Sequence, residues 1–188
     1  MIEIKILLKK FYMNDTKQVA KDLLGKTLVR KIGTQVLSGV ITETEAYKGK
    51  NDPASHASRK KTERNKIMFG EVGVAYVYFT YGMHYCFNVV AKKKNDKAGA
   101  VLIRAIQPQK GINHMIKNRK TDIISNLTNG PGKLTQAMQI TLEQYNHDLT
   151  KKSSLFIIDS EKPNKITAKP RVGIKIGVDK LWNFSYKI

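Results

Sequence analysis

Between Gln35 and Ile106 this chain carries four strand patterns, interrupted by a polar loop at Lys48 to Thr62 and an ambiguous stretch at Asn65 to Gly73. Gln35 to Tyr47, Val74 to Phe79, His84 to Val90 and Gly99 to Ile106 are dense in β-branched and aromatic residues. The linker Thr80-Tyr81-Gly82-Met83 is a hairpin signal, and Lys92 to Lys97 is a charged turn. Lys26 to Lys31 reads as a further strand, and Leu155 to Asp159 and Arg171 to Val178 as two late ones. Helical patterns are few. Asp15-Thr16 caps one bearing Val19, Ala20, Leu23 and Leu24, which Gly25 stops. Pro108 to Arg119 carries Ile112, Met115 and Ile116 as an apolar stripe, and Gly130-Pro131-Gly132-Lys133 opens another helix. Helices do not alternate regularly with strands. The expected fold is therefore α+β, a single domain over 1–188 around a mostly antiparallel sheet, rather than a parallel doubly wound one.

Within the longest strand, period two places Leu37, Ile41, Glu43, Glu45 and Tyr47 on one face. An inward carboxylate there costs several kcal/mol unless it is paired or protonated. Arg104, expected on one face with Leu102 and Ile106, is the natural partner for Glu45. The pattern leaves Glu45 open between a catalytic acid, a structural ion pair and a solvent-facing strand end, and Glu43 competes with it. Around this acid stand Tyr47, Tyr76, Tyr78, Tyr81 and Tyr85, five of the eight tyrosines in the chain. Tyr76 and Tyr85 fit ordinary strand composition. Tyr81 lies in the hairpin turn beside Gly82, where a large ring does not easily reach the core, and an aromatic at such a tip suits a wedge between stacked bases.

The net charge of +19 implies an attraction for phosphate. Of the 34 basic residues 28 are lysine, so a Lys-rich composition alone explains much of that charge. A buried acid among flat rings in so basic a chain points to chemistry on a nucleic-acid base. The competing reading is a non-catalytic nucleic-acid-binding module with an aromatic stacking surface. A single cysteine, Cys86, leaves no internal disulfide or cysteine zinc cluster, and His56, His84, His114 and His147 form no ligand spacing, so neither a catalytic metal nor a cofactor is expected. The glycine-rich stretch fails the phosphate-loop pattern, because Leu127 and Leu134 stand where Gly and Ser or Thr belong. Residues 1–8 are too short and too charged for a signal or membrane segment, so the expected location is cytoplasmic, or nuclear in a nucleated cell.

Beyond pattern, the chain resembles the 3-methyladenine (alkylpurine) DNA glycosylase family, in the branch that includes the human alkyladenine glycosylase. The resemblance rests on Glu43-Thr44-Glu45-Ala46-Tyr47, Asp52-Pro53-Ala54-Ser55-His56-Ala57, Thr62-Glu63-Arg64-Asn65, Tyr76-Val77-Tyr78 and Tyr81-Gly82-Met83. It continues through Val101 to Ala105, Gly130 to Leu134 and Pro170 to Ile174, in the family's order. It implies a curved sheet with flanking helices and a protruding β-hairpin that enters DNA. Glu45 matches the general base and Arg104 the arginine that fixes the attacking water. Tyr47, His56 and Tyr78 match the walls around a flipped base, and Asn88 a pocket-floor asparagine that disfavours the 2-amino group of guanine. Tyr81, with Met83 beside it, matches the intercalating tip. The implied substrate is double-stranded DNA carrying damaged purines, and a monomer suits a protein that docks on a duplex by one face. Two positions depart from the family: Glu63 replaces a usual proline, and Asn183 replaces a usual arginine.

Overall fold

The fold is organised by its longest strand, β2 (Gln35–Lys48), which is covered along both edges. On one edge it pairs with β5 (Gly99–Lys110). On the other it pairs first with β1 (Thr27–Ile32), then with the short β8 (Asn183–Ser185). The rest of the sheet follows outward. β3 (Ala75–Thr80) pairs with β4 (His84–Val90), β4 with β5, β6 (Leu155–Ile158) with β1, and β7 (Thr167–Lys169) with β8. Every one of these pairings is antiparallel, and the eight strands form one sheet. This computed structural model describes residues 5–188; half of the N-terminal run read above, 1–4, lies outside the described residues. Among the described residues no helix is long and apolar enough to cross a membrane.

The helices are short: α1 (Lys9–Tyr12), α2 (Thr16–Asp22), α3 (Ile112–Arg119) and α4 (Pro131–Ala137). In α2 the Asp15 carboxylate accepts from the Lys17 N–H at 2.9 Å, and Val19, Ala20, Leu23 and Leu24 are fully buried, as the sequence implies. They meet Leu37, Ile41, Val101, Ile103, Leu134 and Met138 in one apolar cluster on one side of the sheet. The fold is thus a single α+β domain, its sheet antiparallel. The opposite side carries a smaller cluster in which Met68, Tyr76, Val90 and Ala100 pack with Tyr47 and Tyr78. This second face holds the site.

Three expectations are corrected. Period two does not run through β2. Register shifts fall on either side of Glu43, where Ile41 faces Ile106 but Thr44 faces Ile103. Both strands thereby change sides. Ile41 and Ile106 lie in the core, and so do Ala46 and Ile103. Glu43, Glu45, Tyr47, Leu102 and Arg104 look the other way. Leu37 and Ile41 therefore do not share a face with Glu45, nor Ile106 with Arg104.

Second, Pro108 does not open a helix. β5 runs on to Lys110, and the proline, which lacks an N–H, sits where another register shift interrupts the ladder opposite Ser38 and Gly39. Gly111, at φ +74, then makes the corner into α3. Third, Arg171 to Val178 is not a strand. Gly173 and Gly177 take positive φ (+77 and +68) there, and the β2 edge is occupied by β8 instead.

Candidate active site

Tyr47, His56, Tyr78, Tyr81, Asn88 and Arg104 line one cavity of about 260 Å³, together with Val172, Gly173 and Ile174. That is near the lower end of small-molecule sites, which span roughly 300–1,000 Å³, so it suits one base-sized group rather than a stretch of polymer. Glu45 does not line it. The carboxylate is fully buried just behind the wall and is held by three residues that do line it, Tyr47, Arg104 and Val172, and by Asn183, which does not.

Three hydrogen bonds and one ion pair converge on that carboxylate. Oε1 accepts from the Val172 N–H at 2.7 Å and from Asn183 Nδ2 at 3.0 Å, with Arg104 Nε at 3.5 Å. Oε2 accepts from the Tyr47 hydroxyl at 2.7 Å. Burial, and then the charge of Glu45, push the Tyr47 phenol far above its ordinary value, so it remains a donor. Glu43 lies alongside. Its Oε1 accepts from Arg104 Nε at 3.2 Å and from Asn183 Nδ2 at 2.7 Å. The sequence leaves Glu43 and Glu45 in competition; the structure separates them by burial, since Glu43 keeps 21 % of its side chain exposed and Glu45 none.

The aromatic walls combine Tyr47 of β2 and Tyr78 of β3 with His56, which comes from the segment 49–74 between those strands. The Asn65 side chain donates to His56 O at 2.6 Å and Lys60 O at 2.9 Å, which closes the loop. The His56 ring then meets Tyr78 edge to face at 4.8 Å, and its Nδ1 is 3.0 Å from the Tyr76 hydroxyl. Tyr76 is therefore more than strand composition: it is buried and steadies His56. Tyr85 is what it looks like in sequence, packed on Phe79 at 5.1 Å and against the main core. Desolvation, and then the nearby Arg64 charge, hold His56 below the usual histidine value. Arg64 lies over the Tyr78 ring at 4.8 Å. Asn88, facing Tyr76 across the β3–β4 pair, donates to Tyr76 O at 3.0 Å. Cys86 is buried in the same wall as a free thiol.

At the β3–β4 turn Tyr81 and Gly82 have successive positive φ of 52° and 65°. That conformation is uncommon for an aromatic residue, and it points the ring outward. Tyr81 is 80 % exposed and Met83 69 %. Glu63, the departure in the loop, is exposed and, among the described residues, pairs only with Lys66.

Two residues quoted above without a role prove central. Arg171 and Asp52 form a fully buried pair, Nη1 to Oδ2 at 2.7 Å and Nη2 to Oδ1 at 2.6 Å, and Arg171 also donates to Ala46 O. The guanidinium lies between the rings of Tyr47 and Trp182, 4.6 and 5.1 Å from their centroids. This clamp carries Val172 to Glu45. The signal available in sequence was an Asp and an Arg embedded in distant motifs, with nothing to link them. Among the described residues, no group of three or more His, Cys, Asp or Glu side chains is placed to hold a metal ion.

Comparison with known proteins gives one consistent result. The family model for Methylpurine-DNA glycosylase (MPG) matches residues 10–187. A protein of Prosthecochloris aestuarii is 48 % identical over 182 residues, covering 94 % of this chain and 85 % of that protein. One from Carboxydothermus hydrogenoformans is 48 % identical over 184 residues (97 % and 95 %), and one from Clostridium novyi 43 % over 196 (98 % and 96 %). All three are provisionally named 3-methyladenine DNA glycosylases. The match spans nearly the whole domain, the cavity and both halves of the Asp52–Arg171 clamp included, and the chain belongs to the methylpurine-DNA glycosylase family.

Proposed function

We propose that this protein is a DNA glycosylase that removes methylated purines, 3-methyladenine foremost, from double-stranded DNA by hydrolysing the N-glycosidic bond. The observation that carries the reading is Glu45, a fully buried carboxylate held by three hydrogen bonds and an ion pair to Arg104, directly behind an aromatic cavity. A stacking platform for nucleic acid has no use for such an acid, which repels phosphate.

The reaction follows from the parts. The target purine lies inside the duplex and must be rotated out before it can enter the cavity. Tyr81 and Met83, exposed at the hairpin tip, fill the gap it leaves. The +19 charge holds the DNA backbone by phosphate contacts. Tyr47 and the His56–Tyr78 corner offer π faces, worth about 0.5–2 kcal/mol to a cationic base. An N3- or N7-methylated purine carries that charge and is already a good leaving group. A neutral His56 adds no repulsion, which its depressed pKa favours. Asn88 bounds the floor.

As the C1′–N bond breaks, its electron pair leaves with the base, which departs neutral, and the sugar becomes oxocarbenium-like. Glu45 stabilises that charge and takes the proton of the water attacking C1′. The water binds at Oε2, displacing the Tyr47 hydroxyl that donates to it in this structure. Arg104, which both lines the cavity and contacts Glu45, orients it. The products are a free base and an abasic site, and one protein face on the duplex needs only a monomer.

The test is release of free base. Purified protein incubated with methylated duplex DNA in EDTA is expected to liberate 3-methyladenine. DNA binding without release would favour the binding-module reading instead.

A further inference from the structure

We propose that Asn183 is a positioning residue of this reaction: its side-chain amide bridges Glu43 and Glu45 and so lets both remain ionised side by side. The inference rests on the reading of Glu45 as the base.

The geometry is specific. Asn183 faces Glu45 directly in the β2–β8 register and is fully buried. One nitrogen, Nδ2, reaches Glu43 Oε1 at 2.7 Å and Glu45 Oε1 at 3.0 Å. An amide NH2 has two hydrogens, one for each acceptor. Turning the amide over would set its oxygen against two carboxylates, so chemistry fixes its orientation. The same orientation leaves Oδ1 buried without a partner among the described residues. A buried acceptor left bare costs about 1–3 kcal/mol, a penalty the site tolerates to keep the two bonds.

The charge balance explains why the bridge matters. Two carboxylates share a single guanidinium, Arg104, leaving the cluster one negative charge in excess. That excess suits a cationic sugar but also invites the pair to capture a proton, since neighbouring carboxylates disfavour joint ionisation. The other titratable groups facing Glu45 do not offset it. Tyr47 on β2 and Cys86 on β4 are neutral when protonated, and Arg171 is committed to Asp52. A neutral amide donating to both acids opposes protonation without cancelling the charge.

The test is the pH profile of single-turnover excision from about pH 5 to about pH 9, run beside lesion-DNA binding and melting. The N183A variant is expected to move the acid limb up by about one pH unit, roughly tenfold slower on the limb. It should approach wild-type rates at the alkaline end, with binding unchanged. E43Q/N183A, which removes the competing acid, should return the limb to its wild-type position. Should N183A not fold, N183S keeps a shorter donor, and its limb should rise by less. An unmoved limb in the folded variants, or a uniform loss at every pH that E43Q does not relieve, overturns the proposal. With E45Q inactive, that failure belongs to Asn183 alone. Excision retained by E45Q would instead remove the base reading, and this proposal with it.

Discussion

Replacing Asp52 by alanine isolates the contribution of the buried clamp. Both side chains of the Asp52–Arg171 pair are fully inaccessible, with two charge-assisted hydrogen bonds of 2.7 and 2.6 Å between them. Asp52 Oδ2 also accepts from the Lys48 N–H at 2.9 Å. Removing the carboxylate leaves a guanidinium enclosed between Tyr47 and Trp182 with, among the described residues, only the Ala46 carbonyl to receive it. Breaking a buried pair from one side costs about 3–5 kcal/mol. In a domain of this size about 2–4 °C is lost per kcal/mol, so the melting temperature should fall by about 6–20 °C. Excision per folded molecule should fall as well, because Val172 is the residue after Arg171 and its N–H serves Glu45. The assay is denaturant unfolding with single-turnover excision measured well below the transition. Adding Arg171→Met to Asp52→Ala should recover part of the stability, since it removes the uncompensated charge. A loss below about 1 kcal/mol, the range of exposed ion pairs, would refute the reasoning. So would a double variant less stable than Asp52→Ala.

Other consequences follow from the same geometry. Tyr81→Ser should change stability by only about 0.5 kcal/mol, since the ring is exposed, while lowering excision from duplex DNA. A sharp fall in melting temperature with activity per folded molecule intact would make Tyr81 a core residue. Tyr47→Phe keeps the ring but frees Glu45 Oε2, so lesion binding should hold and excision should match or exceed wild type; a tenfold loss of excision alone would place the hydroxyl in the chemistry. NMR titration of His56 should give a midpoint below the model-peptide value near 6.5, because desolvation and Arg64 both oppose its protonation. Its stability contribution has a definite sign: the unfolded chain takes up the proton first, so lowering the pH through about 6.5 costs stability until the folded form also titrates. A midpoint at or above 6.5 would contradict this.

Much of the architecture was legible because it is local. The α2 cap and stripe, the Thr80–Met83 turn and the antiparallel β3–β4 hairpin rest on contacts a few residues apart. The cavity residues were legible chiefly through the family resemblance. What stayed hidden depends on pairing across the chain. The double register shift beside Glu43 changes the facing of two strands at once, and neither strand alone records it. Val172, Ile176 and Val178 read as a strand by composition, yet two glycines at positive φ and an edge already taken by β8 override that propensity. In sequence Asn183 is a departure from the family's usual arginine. Only β8 lying against Glu43 and Glu45, 140 and 138 residues away in sequence, makes it a bridge between two acids.

The central claim is that Glu45 activates water behind a cavity that holds an extruded base. Its most direct test compares wild type with Glu45→Gln on one methylated duplex, measuring lesion-DNA binding and base release in the same preparation. Glutamine keeps the shape of the side chain and can still accept hydrogen bonds, but it cannot take the proton of the attacking water. The account predicts that Glu45→Gln binds lesion DNA about as tightly as wild type and releases no 3-methyladenine. Release at the wild-type rate would contradict it and remove Glu45 from the chemistry.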